Sequence, residues 1–169
     1  MAYCRLAALA FASMAALATA THAEDVAKLT TIIDWSLYTD GKSPHLFCFL
    51  TSEPKSSEPA DAAREAPRIY ISAWPKDGVK AEPSVRLGFP AKKGGEITAA
   101  IAKESFRMFS ADERAYVQDA TQELKLLDAM KKGAKLAVTA TTATGTTVTD
   151  TYSLAGLGQA MQELQSTCF

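Results

Sequence analysis

Between Asp34 and Tyr152 the chain is a succession of short runs rich in β-branched and aromatic residues, each cut off by glycine, proline or an Asp-Gly pair. Strands this short and this closely spaced join as antiparallel neighbours, because a parallel crossover needs a dozen or more residues between strands. Arg68 to Trp74 (RIYISAW) is the clearest strand, stopped by Pro75 and followed by the turn pair Asp77-Gly78. Asp34 to Thr39 alternates, which puts Trp35, Leu37 and Thr39 on one face before Asp40-Gly41 turns the chain. Leu46 to Ser52 (LFCFLTS) is apolar enough for a strand buried on both faces. Ser84 to Phe89 places Val85, Leu87 and Phe89 inside. Gly94-Gly95 makes a hairpin connection into Glu96 to Ile101, and a further strand runs from Ser105 to Phe109, continuing through Ala115 to Val117. Glu24 to Asp34 reads as a loosely held N-terminal segment. Glu53 to Pro67, rich in Pro, Ser, Ala and alternating charge, reads as a loop that is ordered at its ends and mobile in its middle.

Thr121 to Lys132 departs from this pattern. Ala120, Leu124, Leu127 and Met130 recur at helical spacing, Asp119 with Gln122 resembles a capping box, Lys131 and Lys132 suit the negative end of a helix dipole, and Gly133 ends the helix. The Thr-rich segments 135–141 and 146–152 flank Thr144-Gly145 as a hairpin. Leu157, Ala160, Met161 and Leu164 then predict a closing helix from about Gly156. The fold class expected is mainly β: an antiparallel, sandwich-like domain with two short helices, the last one C-terminal.

Residues 1–23 differ from the rest. Arg5 is their one charge, Leu6 to Ala18 is rich in Ala and Leu, and Thr21-His22-Ala23 supplies small residues where a signal peptidase reads, so cleavage is expected after Ala23. The apolar run is too short to span a bilayer, which takes about 20 residues. Cys4 precedes that run, whereas a lipid-modified cysteine would follow it. The remaining 24–169 fit a single domain, periplasmic or secreted and not membrane-spanning. Loss of Arg5 leaves it one unit more negative than the −1 of the full sequence, with Lys and Arg interleaved among Asp and Glu. No basic stripe of the kind that binds nucleic acid is present. Two cysteines remain, Cys48 and Cys168, and in an exported chain they read as one disulfide.

No residue pattern spells out a reaction. After cleavage His45 is the one histidine, beside Pro44 at a strand entrance, so a Ser/His/Asp or Cys/His constellation has no named partners. With only Cys48 near it, no zinc site is expected, and no cofactor motif follows Lys92-Lys93-Gly94-Gly95. Glu96, Glu104 and Asp150 read as solvated surface carboxylates, Trp35 and Trp74 as core, and Asp150 to Ser153 as a strand end and helix cap. No catalytic, cofactor-binding or metal-binding residue is assigned.

One resemblance runs along the chain. Trp35, Cys48 with Ser52 and Pro54 behind it, Ile69 to Ala73 ending in Pro75, Ser84-Val85 with Gly88-Phe89, Ala129 to Gly133, and Asp150 to Leu154 with Gly156, Ala160 and Cys168 form an ordered set. It resembles the invasion-associated locus B family of bacterial exported proteins, over essentially the whole mature chain. The last two pieces carry most of the likeness. Leu157 stands where an aromatic is usual, and Phe89-Pro90 replaces a Gly-Tyr continuation. The resemblance implies a periplasmic or secreted β-sandwich-like domain, from a family linked to host-cell invasion in some pathogens, and carries no catalytic residue with it. The function expected is non-enzymatic binding of a protein, envelope or host-surface partner through loops such as Glu53 to Pro67. The alternatives are an envelope enzyme acting on a glycan or peptidoglycan, and a periplasmic carrier of a small ligand.

Overall fold

The computed structural model describes residues 26–60, 62 and 64–169, so the expected signal segment and Cys4 lie outside the described residues. The strands are β1 (Ala27–Ile32), β2 (Trp35–Thr39), β3 (Cys48–Ser52), β4 (Pro54–Glu58), β5 (Arg68–Trp74), β6 (Val79–Arg86), β7 (Ile97–Ile101), β8 (Glu104–Ala111), β9 (Arg114–Val117), β10 (Lys135–Thr141) and β11 (Thr147–Ser153). Two helices accompany them, α1 (Ala120–Lys132) and the C-terminal α2 (Leu157–Cys168). Every pairing is antiparallel, and the strands form one sheet in the order β1-β2-β3-β5-β6-β9-β8-β7-β10-β11-β4. The sandwich-like expectation is met by this single sheet curling so that its halves enclose one core. Inward residues fill it: Trp35 and Leu37 from β2, Ile69 and Ile71 from β5, Val85 from β6, Leu136 from β10 and Tyr152 from β11 are all at most 2 % exposed.

Three reversals differ from the sequence reading. The segment before Asp34 is not loose but forms β1, paired to β2 through a turn at Ile33-Asp34. The run from Ser105 to Val117 is a hairpin, β8 and β9, turning at Asp112-Glu113. Both turns, and the one at Ala102-Lys103, place an ordinary residue in the left-handed region: φ is 54° at Ile33, 52° at Ala102 and 53° at Asp112. Two-residue hairpin turns demand that conformation, and Gly or Asn usually supplies it; here neither does, so the usual signal is missing. The third difference is β4, which lies within the expected mobile loop and pairs with β11 at the far edge of the sheet.

That loop is further sewn down beyond β4. The Glu65 N–H donates to the Gly88 carbonyl at 3.0 Å. Gly88 has φ of 77°, and a Cβ there would meet the Glu65 carbonyl oxygen at 2.1 Å, so only glycine admits this approach. It also explains why β6 stops at Arg86 while Leu87 and Phe89 stay buried as expected.

The helices close the ends. Asp119 caps α1 by accepting the Gln122 N–H at 3.0 Å, and Leu126, Leu127, Ala129 and Met130 form its buried face. Leu124, expected in that face, is 66 % exposed, because the helix turns its neighbours Leu126 and Leu127 toward β6, β8 and β9 instead. On α2, Leu157, Ala160, Leu164 and Cys168 are buried against β2 and β3. A 12-residue helix is marginal alone, so its stability comes from docking: two buried leucines at roughly 1.5–3 kcal/mol each exceed any propensity term. The docking needs Gly156, φ 85°, where a Cβ would lie 2.8 Å from the Ile32 carbonyl oxygen. At the other end of α2, Cys168 is bridged to Cys48 with a Cα–Cα distance of 6.4 Å, inside the ordinary disulfide range. The Thr-rich hairpin is explained by its outward side chains: Thr139 and Thr149 hydroxyls pair across the strands at 2.9 Å.

Candidate functional site

Strand alternation puts Ile69, Ile71 and Ala73 of β5 inside, and therefore Tyr70, Ser72 and Trp74 outside. On β3 the inward positions are Cys48 and Leu50, which sends Phe49 outward as well. Register then sets these outward residues in a row that steps by two residues between β3 and β5, where Phe49 opposes Ser72 and its ring lies 5.8 Å from that of Tyr70. Tyr38 of β2 opposes Phe49, with rings stacked at 5.1 Å and 5°. Tyr70 opposes Ser84 of β6, Ser84 opposes Tyr116 of β9, and Tyr116 opposes Phe109 of β8. At a strand spacing of about 4.8 Å, a row crossing six strands runs roughly 24 Å along the outer surface. Phe47, just before β3, joins it, 5.7 Å from the Trp74 ring and tilted 46° to it.

The centre of this row is concave. The short side chains of Ser72 and Ser84 leave a groove of about 470 Å³ between the Phe47, Phe49 and Trp74 rings on one side and Tyr116 with Arg114 on the other. Arg114 lies over the Tyr70 ring, 4.8 Å from its centroid. Glu82 supplies a carboxylate to the lining and opposes Ser72 in register. It also acts at a distance on α1: partial burial raises the Glu123 pKa, and the charges of Glu82 and Asp119 raise it further.

Trp35 is fully buried, as expected for core, whereas Trp74 is 38 % exposed at the rim of the groove. Its parity with Tyr70 already placed it outside, a signal outweighed in the sequence reading by the default that strand tryptophans pack. Likewise LFCFLTS is not buried on both faces: Phe47 and Phe49 are half-buried on the outer one. Glu96 and Glu104 are exposed as expected, Glu96 facing Arg107 at 3.2 Å. His45 sits in a turn, its Nδ1 3.1 Å from Asp40, whose carboxylate also accepts the Leu46 N–H at 2.8 Å. Among the described residues no group of three or more His, Cys, Asp and Glu side chains is placed to hold a metal.

Asp150 corrects the surface assignment. It points inward from β11, is 2 % exposed, and pairs with Arg64, whose side chain is 5 % exposed. The guanidinium binds it in a fork: Nη1 donates to Oδ2 at 2.7 Å and Nη2 to Oδ1. Ser57 donates to Oδ1 at 2.7 Å and accepts from Arg64 Nη2 at 2.8 Å, while Nη1 also reaches the Leu87 carbonyl at 3.1 Å. Hydrogen bonding to Asp150 raises the Arg64 pKa, and burial pushes the Tyr152 phenol up with Asp150 adding to it. Buried inside the fold, Arg64 and Asp150 tie the chain at Arg64 to β11 and do not face a ligand. Asp150 thus belongs to a buried clasp on the last strand, and the expected helix cap is absent, since α2 starts at Gly156 with no side-chain cap.

No helix among the described residues is long and apolar enough to cross a membrane. A comparison with curated proteins finds no match. Among solved structures, the crystal structure of invasion associated protein B from Bartonella henselae is similar, with a TM-score of 0.58 at 15 % identity, covering 83 % of this chain and 96 % of that one. At that identity the likeness speaks to the fold alone. The sequence profile of the Invasion associated locus B (IalB) protein family matches residues 35–165, from the first core tryptophan into α2. Covering most of the sheet and both helices, that match identifies the chain as a member of the Invasion associated locus B family.

Proposed function

We propose that the protein is an exported, non-enzymatic binding domain, periplasmic or secreted after removal of residues 1–23. Its outer aromatic face, rather than the loop from Glu53 to Pro67, meets a protein, envelope or host-surface partner, with a role in host-cell invasion of the kind its family is named for. One observation carries the reading: large aromatic side chains line a groove on the outer face of the sheet, with Trp74 at its rim 38 % exposed. Cross-strand aromatic pairs are worth about 0.2–1 kcal/mol to a sheet, which accounts for Tyr38 on Phe49. It does not account for Trp74, which ends its strand and leaves part of its indole in water. Exposed apolar patches of this kind mark interaction sites. The corrected loop is unsuited to adaptable binding, since β4, Glu65 and Arg64 all hold it to the scaffold.

The test is cross-linked capture from an envelope extract, with the disulfide-intact protein beside Trp74→Ala and Phe49→Ala. A partner enriched by the parent and lost with both variants supports the reading. Capture that is equal for all three, or none at all, overturns it.

A further inference from the structure

We infer that the aromatic groove is a carbohydrate site, taking an uncharged hexopyranose oligosaccharide; this rests on the reading of the outer face as the binding surface and names its ligand class. Size argues first. A groove of about 470 Å³ falls within the roughly 300–1,000 Å³ of small-ligand sites, whereas a protein partner of standard size needs about 800 Å² of broad surface on each side.

The lining argues next. Trp74 and Phe47, tilted 46° to each other at 5.7 Å, offer π faces on which the C–H face of a pyranose ring can lie. Beside them stand one carboxylate, Glu82, and one guanidinium, Arg114, so the charged groups of the lining sum to zero. An anionic ligand would be repelled by Glu82, and a cationic one by Arg114. A ligand rich in hydroxyl groups uses both, donating to the carboxylate and accepting from the guanidinium fork. Arg114 is held in advance by its position over Tyr70, 4.8 Å from the ring centroid, which reduces the ordering that binding requires. Ser72 and Ser84 complete the floor with short side chains, leaving room for a ring between the aromatic walls.

Titration of the disulfide-intact chain with triacetylchitotriose, cellotriose and maltotriose, followed by amide chemical shifts and by calorimetry, tests this. The expected result is saturable binding of at least one trisaccharide, with shifts centred on β3, β5 and β6. Trp74→Ala should weaken it tenfold or more, Glu82→Gln at least threefold, and Lys103→Ala, in the turn between β7 and β8, should leave it unchanged; thermal unfolding checks that each variant is folded. Absence of saturable binding by all three sugars, or binding insensitive to both groove variants, overturns the assignment. So does tight binding of phosphocholine with no sugar binding, since that would make the groove a site for a zwitterionic choline headgroup. If envelope capture still depends on Trp74 while no sugar binds, the carbohydrate assignment fails and the binding face stands. If capture is indifferent to Trp74, the binding face itself fails.

Discussion

Replacing Arg64 with alanine should be among the most damaging single changes in this protein. The substitution leaves Asp150 buried at 2 % exposure with only the Ser57 hydroxyl, having lost both arms of the guanidinium fork. It also strips the Leu87 carbonyl of its 3.1 Å donor, next to the point where Glu65 meets Gly88. Removing one partner of a buried pair costs about 3–5 kcal/mol, because an uncompensated charge stays behind. For a chain of this size each kcal/mol moves Tm by roughly 2–4 °C, so a fall of about 6–20 °C is expected. Arg86→Ala is the control: Arg86 pairs with Glu65 in the same segment, but the two side chains are 32 % and 67 % exposed, and loss of such a pair costs at most about 1 kcal/mol. The double variant Arg64→Met with Asp150→Leu removes both charges and should be more stable than Arg64→Ala alone. Urea unfolding with the disulfide intact measures all three at constant m. If Arg64→Ala and Arg86→Ala cost the same, under about 1 kcal/mol, the buried clasp is not what holds this segment.

Two further outcomes are expected. In the chain from residue 24, without Cys4, alkylation should find no free thiol without reductant and two with it, and Cys168→Ser should destabilise by about 2–5 kcal/mol, the chain-entropy value for a closed loop of 120 residues lying near the top of that range; two thiols modified without reductant would refute the bridge. Glu123 has its pKa raised above 4.5 in the fold, by burial and then by Glu82 and Asp119, so its ionised form is disfavoured there. The folded state therefore holds that proton more tightly, and stability falls as pH rises through the raised pKa. Glu123→Gln should raise Tm at pH 7 and lose that advantage below about pH 4.5, where the parent is also neutral; a gain independent of pH would contradict the electrostatic cause.

Legibility followed the range of the physical signal. The inward set Trp35, Leu37, Thr39, Val85, Leu87 and Phe89 was readable because alternation is a property of five or six consecutive residues. The α1 cap at Asp119 and the start of α2 at Gly156 were readable for the same reason. The hairpins at Ile33-Asp34 and Asp112-Glu113 were not, since each turn uses a residue that seldom adopts positive φ and owes its conformation to the strands it joins. Of the groove, the individual aromatics were visible in the sequence but not their assembly, which depends on β2, β3, β5, β6 and β9 lying side by side.

What the sequence determined alone is therefore local and periodic: antiparallel strands, one central and one closing helix, and a pair of cysteines available to each other. What the tertiary structure decided is which surfaces meet. Asp150 looked like a solvated strand-end carboxylate because its partner Arg64 is 86 residues away, in a stretch whose composition reads as loop. Only closure of the sheet, bringing β4 onto β11, places the two charges together away from water. The same closure leaves the opposite, aromatic face of the sheet uncovered. Periodicity states that a residue has a face, but long-range pairing determines whether that face is buried, paired or presented to a ligand.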